Sequence, residues 1–365
     1  MEPPPFRLLV LKTGALGDVL RTTSILTGLE ARHGAGLEVT WVTARAARPL
    51  LAGLAEVGRI ARLVDVDPKA VPPGLAGDLV GDAPFDLVLS LDDEEPMCAL
   101  ATAVVCPGAV DEQRVEERII GAYLDAAGNR RYTRAAGPWF DMGLLSVHGK
   151  AEADRMKLAN ERSHPEIFAD MLGVSKGEPE LLLDAALVDA AEERLAALGP
   201  GLRIGLNTGS GGRWASKALP EERVVELAVA LRDEVHAERG AAPVFVLLGG
   251  PEERERNARL AAALDPAVTL VDTGCDNGLL EFAALVDRLD VLITSDSLAL
   301  HMANARTVPV LAFFAPTSAA EIDLYGRGAK VQSTAADYCS YAKDADTSTL
   351  TVKRLVAGFR RMQLS

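Results

Sequence analysis

The chain is poor in the residues that build metal and disulfide frameworks, and its aromatic content is only 5%. Its four cysteines, Cys98, Cys106, Cys275 and Cys339, form no CxxC pair, which argues against a zinc ribbon or a dithiol redox site. Its five histidines, His33, His148, His164, His236 and His301, make no HExxH and no His–Cys cluster, so no protein-held metal is expected. No apolar run approaches the roughly 18 residues that a membrane span requires. The start, MEPPPFRLLV, lacks the basic residues and small-residue cleavage site of a secretory leader, and a cytoplasmic protein is expected. Positive charge is also scarce. Lys and Arg number 38 against 52 Asp and Glu, a net charge of −14. Nucleic acid is therefore excluded as a partner, because neutralising phosphates needs clustered cations.

What is present is the composition of an ordinary globular protein, 48% hydrophobic and 25% charged over 365 residues, a length that suits two domains. Apolar runs alternate with helical patterns. In the first half, strands are expected at Phe6–Leu11, Leu37–Thr43, Ile60–Val66 and Phe85–Leu91, with helices over Val19–Glu30, after the fourth strand through about Val105, and over Val115–Ala127. SKGEPE, residues 175–180, reads as a linker. The pattern then restarts with strands at Leu202–Leu206, Val244–Leu248, Val268–Val271, Val291–Thr294 and Val308–Phe314. The helix after Pro220 places Val224, Leu227, Leu231 and Val235 on one face. Such alternation predicts an α/β protein with two Rossmann-like domains, mainly parallel in each sheet, facing a central cleft.

Ligands of open α/β sheets bind beyond the carboxyl ends of strands, so the turns there carry the functional signal. The first is GALGD, residues 14–18. It is GxxG and not GxGxxG, and no carboxylate ends the second strand, so a dinucleotide site is not supported. Asp18 stands where a helix begins, a position that an N-cap also explains. Thr208-Gly209-Ser210-Gly211-Gly212, followed by Arg213 and Lys217, offers amides, hydroxyls and cations to a diphosphate; a solvated glycine turn has the same composition. Ser295-Asp296-Ser297 ends another strand, and His301 follows one helical turn later.

Three blocks carry a resemblance: LVLKTGALGDVLRTTSILTGL (9–29), IGLNTGSGGRWASKALPEE (204–222) and DTGCDNGLLEFAALVDRLDVLITSDSLALHMANARTVPVLAFFAPT (272–317). In order and spacing they resemble glycosyltransferase family 9, the ADP-heptose:lipopolysaccharide heptosyltransferases and their relatives. The resemblance implies a GT-B fold, with an acceptor-binding domain at 1–178, a nucleotide-sugar-binding domain at 179–345, and a C-terminal helix, 346–365, crossing back to the first domain. It implies an inverting, metal-independent transferase with no cofactor beyond its nucleotide-sugar, by family default ADP-heptose. The acceptor would be a glycan, glycolipid or small molecule, as in lipopolysaccharide synthesis, with at most peripheral contact at the inner membrane face.

By motif match, Asp18 would be the general base, with Gly14, Gly17 and Arg21 on the acceptor side. Lys217 would hold the diphosphate, with Thr208, Gly209, Ser210 and Arg213 around it. Asp296, Ser297, Leu298 and His301 would complete the donor side, Glu252 would bind ribose, and Asn277 and Leu279 would line the base pocket. The chain departs from the family pattern in three places: Leu298 replaces a Gly, Leu219 stands where a Trp is expected, and Ala315 replaces the Gly of F-G-P-T. A nucleotide-sugar epimerase or hydrolase on the same scaffold, and a non-catalytic sugar-nucleotide binder, are the alternatives. The segment VKRLVAGFRRMQL, 352–364, has Leu355, Val356, Phe359 and Met362 on one face and could also lie on a membrane.

Overall fold

The computed structural model describes residues 4–196, 199, 201–209, 211, 214–264, 267–362 and 364. The chain divides into two units, Met1–Leu182 and Leu183–Ser365. Among the described residues, each unit holds one six-stranded sheet.

The first unit has strands β1 (Phe6–Leu11), β2 (Leu37–Ala44), β3 (Arg62–Val66), β4 (Leu87–Ser90), β5 (Ile119–Leu124) and β6 (Arg130–Tyr132). Their order is β3-β2-β1-β4-β5-β6, parallel throughout except for the antiparallel β5–β6 pair. Period-two alternation sends β1 side chains to both faces. Leu8 and Val10 join Trp41, Leu26 and Phe168 in one core, while Leu9 and Leu11 join Val42, Met97 and Val115 in another. A sheet covered on both faces explains why β1 reads as an unbroken apolar run.

Three expectations are corrected here. The helix predicted over Val19–Glu30 is two helices, Leu16–Thr22 and Ile25–His33. The break is at Thr23, whose hydroxyl donates to the Leu20 carbonyl (2.7 Å) and accepts from the Glu180 amide (2.8 Å). The segment Val115–Ala127 is not one helix. A helix capped by Asp111 ends at Arg118, and IIGAYL becomes β5. Its β-branched and aromatic side chains suit a strand, and Gly121, at φ +133°, allows the close approach: a Cβ there would stand 1.8 Å from the Ser90 carbonyl oxygen. Residues 175–180 are no free linker. The Ser175 carbonyl lies where a Cβ on Gly28 would be, and Glu180 is bonded to Thr23, Thr27 and Arg59. Residues 175–180 thus belong to the first unit.

The second unit has β7 (Arg203–Asn207), β8 (Val244–Leu247), β9 (Thr269–Asp272), β10 (Val291–Ser295), β11 (Val310–Phe314) and β12 (Gly328–Gln332), in the order β12-β11-β10-β7-β8-β9, all parallel. β12 was not read from the sequence; its GAKVQ is short and broken by polar residues. Both sheets thus repeat the doubly wound order 3-2-1-4-5-6, whose reversal points lie between β1 and β4 and between β7 and β10.

The helix Val352–Arg360 packs on the second unit's own sheet, against β11 and β12. Leu355, Phe359 and the following Met362 are buried in the second unit's core with Leu311, Val331 and Leu231. The same burial occupies the apolar face that a membrane would need. Phe359→Ala is expected to destabilise this unit by about 3–5 kcal/mol, read as a lower urea midpoint at unchanged slope. A midpoint equal to wild type would show that the helix is not part of this core. No described helix is long and apolar enough to cross a membrane.

Candidate active site

Both reversal points carry the residues that the sequence singled out. In the first unit, β1 runs into Lys12 and Thr13, and the turn at Gly14 leads into the helix Leu16–Thr22. Asp18 is not the N-cap. The helix begins two residues earlier, with Ala15 in the cap position and Asp18 as its third residue. From there its carboxylate reaches back to accept the Ala15 amide (3.3 Å) and pairs with Arg21 (2.8 Å). The side chain keeps 36% exposure, open enough to meet a substrate. Arg21 also lies over the Trp139 ring, 5.5 Å from its centroid. Gly17 is buried and Gly14 half-buried.

Asp92, just beyond β4, is the residue of this site that sequence reading missed. It is buried, and it accepts from Lys12 Nζ (2.5 Å), Thr13 Oγ1 (2.7 Å) and the Thr13 amide. Burial opposes the Lys12 charge, but the Asp92 and Asp18 carboxylates outweigh it and raise the Lys12 pKa.

In the second unit, Lys217 and Asp296 are brought together across the reversal point. Lys217 Nζ donates to the Asp296 carbonyl (2.7 Å) and pairs with its carboxylate (3.0 Å). His301, buried, has Nε2 3.7 Å from the other carboxylate oxygen. Ser297, not Asp296, is the N-cap of the helix Leu298–Ala305. Its hydroxyl meets Thr294 Oγ1 (2.9 Å) and accepts from Asn207 Nδ2 (3.4 Å). Leu298, half-buried, opens that helix. The Trp absent at 219 has a counterpart: Trp214 sets its ring 5.5 Å from Lys217 Nζ and edge-on to Tyr341. Leu219 is buried in the core instead.

The glycine loop is held differently from expectation. Ser210 and Arg213 lie outside the described residues, as does Gly212. The Gly211 amide already donates to a carboxylate, that of buried Glu253 (2.5 Å), which also accepts from the Gly250 amide (3.0 Å). A Cβ on Gly209 would stand 2.3 Å from Glu253 Cγ, so this glycine is required by packing. Thr208 is 1% exposed, and its hydroxyl oxygen accepts from Arg256 (3.2 Å). Burial lowers the pKa of Arg256. Glu252 is exposed, and among the described residues it makes no hydrogen bond or ion pair. Asn277 is committed to its own turn: Nδ2 donates to the Thr273 and Gly274 carbonyls and Oδ1 accepts from Arg194 (2.9 Å). Leu279 begins the helix Leu279–Asp287 and is half-buried.

A cavity of about 780 Å3 lies elsewhere, at the amino edge of the second sheet, lined by Asp287, Arg288, Arg306 and Arg327 among others. Arg288 and Arg306 stand at the ends of helices and share Asp287, so helix capping accounts for this charge. Among the described residues, no three His, Cys, Asp or Glu side chains are grouped as metal ligands.

Two doubly wound α/β units are the architecture of the GT-B fold. The family profile "Glycosyltransferase family 9 (heptosyltransferase)" matches residues 134–352, and the chain belongs to that family. It is a glycosyltransferase. Solved structures share the fold. A glycosyl transferase family 9 protein from Veillonella parvula is 19% identical, with TM-score 0.71 over 99% of this chain and 98% of its own. E. coli ADP-heptose lps heptosyltransferase II is 16% identical, with TM-score 0.63 over 98% of each chain. E. coli heptosyltransferase WaaC with ADP is 18% identical, with TM-score 0.53 over 97% of each. No curated protein sequence matches the chain.

Proposed function

We propose that this family 9 enzyme is an inverting, metal-independent transferase that moves heptose from ADP-heptose to an acceptor hydroxyl. The acceptor is a glycan, glycolipid or small molecule of lipopolysaccharide-type synthesis, on the cytoplasmic side of the membrane. The observation that carries the reading is the Lys217–Asp296 pair at the second reversal point. A cation there can take up the charge that develops on a departing diphosphate, which is the work a divalent metal does in other transferases. Asp296 and His301 then face the donor, and Ser297 with the amides behind it supplies further donors. Asp18 is the base that removes the acceptor proton. The hydroxyl oxygen attacks the anomeric carbon as the bond to the diphosphate breaks, and the leaving group departs from the opposite face.

Thermal melting with ADP, UDP, GDP, CMP and NAD, each with and without magnesium, tests the donor. A ligand that binds only the folded chain raises Tm with its saturation. ADP is expected to raise it equally with magnesium or with EDTA. A response to UDP or GDP alone would replace the donor, and a response that vanishes in EDTA would remove metal independence. Loss of donor without acceptor would identify a hydrolase or epimerase instead.

A further inference from the structure

We propose that Asp92 is a positioning residue for the base, and that the Asp92–Lys12 pair fixes both where Asp18 stands and when it ionises. The inference rests on the reading of Asp18 as the base. Its support is geometric. β1 and β4 are neighbours, and the Leu91 amide donates to the Leu11 carbonyl (3.0 Å), so the two strand ends leave the sheet side by side. Asp92 then spends one carboxylate oxygen on Lys12 Nζ and the other on Thr13, through both its amide and its hydroxyl. Thr13 is the last buried residue before the turn that carries Gly14 and the helix with Asp18. Three bonds from one buried carboxylate therefore pin the start of that turn. Lys12 is nearly as buried, and a buried cation needs its partner. Asp18 lies within the same electrostatic reach of Lys12 as part of this group.

The pair is thus a neutral unit placed beside the base. Other charges belong to the same surroundings. Arg21 pairs with Asp18 from its own helix and leans on Trp139, which has His164 edge-on behind it. The helix Arg48–Glu56 packs on the Asp18 helix; its Arg48 is paired with Asp65 and its Glu56 is exposed at the far end. These groups are common to the wild type and the variants, so the sign of each consequence follows from the charge removed. Asp92→Asn leaves Lys12 positive without its counter-charge, which favours the Asp18 carboxylate. Lys12→Met removes the positive member of the pair, which disfavours it.

The test is a titration of the full chain labelled with 13C at the Asp carboxyl carbon, the Asp18 resonance being the one lost in Asp18→Asn. Asp92→Asn is expected to lower the Asp18 pKa, and Lys12→Met to raise it, each by about half a unit or more. The double variant, which buries no lone charge, is expected to return it close to wild type, and it keeps the test open if either single variant folds poorly. No displacement in the folded single variants, or displacement in the same direction in both, would overturn the proposal and leave the pair purely structural. So would a double variant displaced as far as a single one. The acid limb of the pH–turnover profile separates the two readings. If it follows the titration, Asp18 is the base. If the titration moves and the limb does not, the electrostatic coupling stands and the base is another group.

Discussion

Replacing Asp18 by Asn is expected to lower kcat by about 10^3-fold while leaving ADP binding and the melting temperature close to wild type. The isostere keeps an oxygen that can accept the Ala15 amide, so the helix start retains its local bond. It loses the charge that holds Arg21 and, above all, the ability to take a proton. Asp18 is part-exposed and its helix is anchored by buried Val19 and Leu20, so little of the fold depends on the carboxylate. Changes of this kind outside a core cost little stability. Turnover is measured with the donor identified by thermal melting, alongside ADP affinity. Wild-type turnover in this variant would remove Asp18 as the base. An equal loss of ADP affinity would instead assign it to donor binding.

How much of this was legible beforehand depended on whether the signal was local. Parallel strands buried on both faces are near-continuous apolar runs, and those of both sheets' centres could be read. The carboxyl-end turns followed from them, which is why Asp18, Lys217 and Asp296 were singled out. IIGAYL was misread because a short apolar run fits helix and strand alike, and only its pairing with β4 and β6 decides. The break at Thr23 depends on Glu180, 157 residues away. Glu253 and Arg256 were invisible for the same reason, since each acts on the glycine loop more than 40 residues upstream. Asp92 is different. It follows β4 in the run LDDEEP, and the rule applied to GALGD would have found it had it been applied to every strand end.

Lys217→Met carries the second large effect: kcat/KM for the donor is expected to fall by about 10^2- to 10^3-fold, or about 3–4 kcal/mol of transition-state stabilisation. Two losses combine. The leaving diphosphate loses the cation that meets its developing charge. Asp296 also loses the ammonium that now pairs with its carboxylate at 3.0 Å, so a negative side chain faces a negative ligand. The methionine keeps the length of the side chain but gives up the ammonium's place over the Trp214 ring. Lys217→Arg is expected to recover only part of the activity, because a planar guanidinium cannot reproduce a compact ammonium held between the Asp296 carbonyl and its carboxylate. The split between constants identifies the role. A charge needed only as the bond breaks lowers kcat with little change in KM, whereas a charge needed to bind the ground state raises KM and leaves kcat alone. Adding Asp296→Asn to Lys217→Met separates the two losses. If repulsion by the unpaired carboxylate dominates, the second substitution restores ADP affinity; if the missing cation dominates, affinity stays low and Lys217 is confirmed as the group that meets the phosphates.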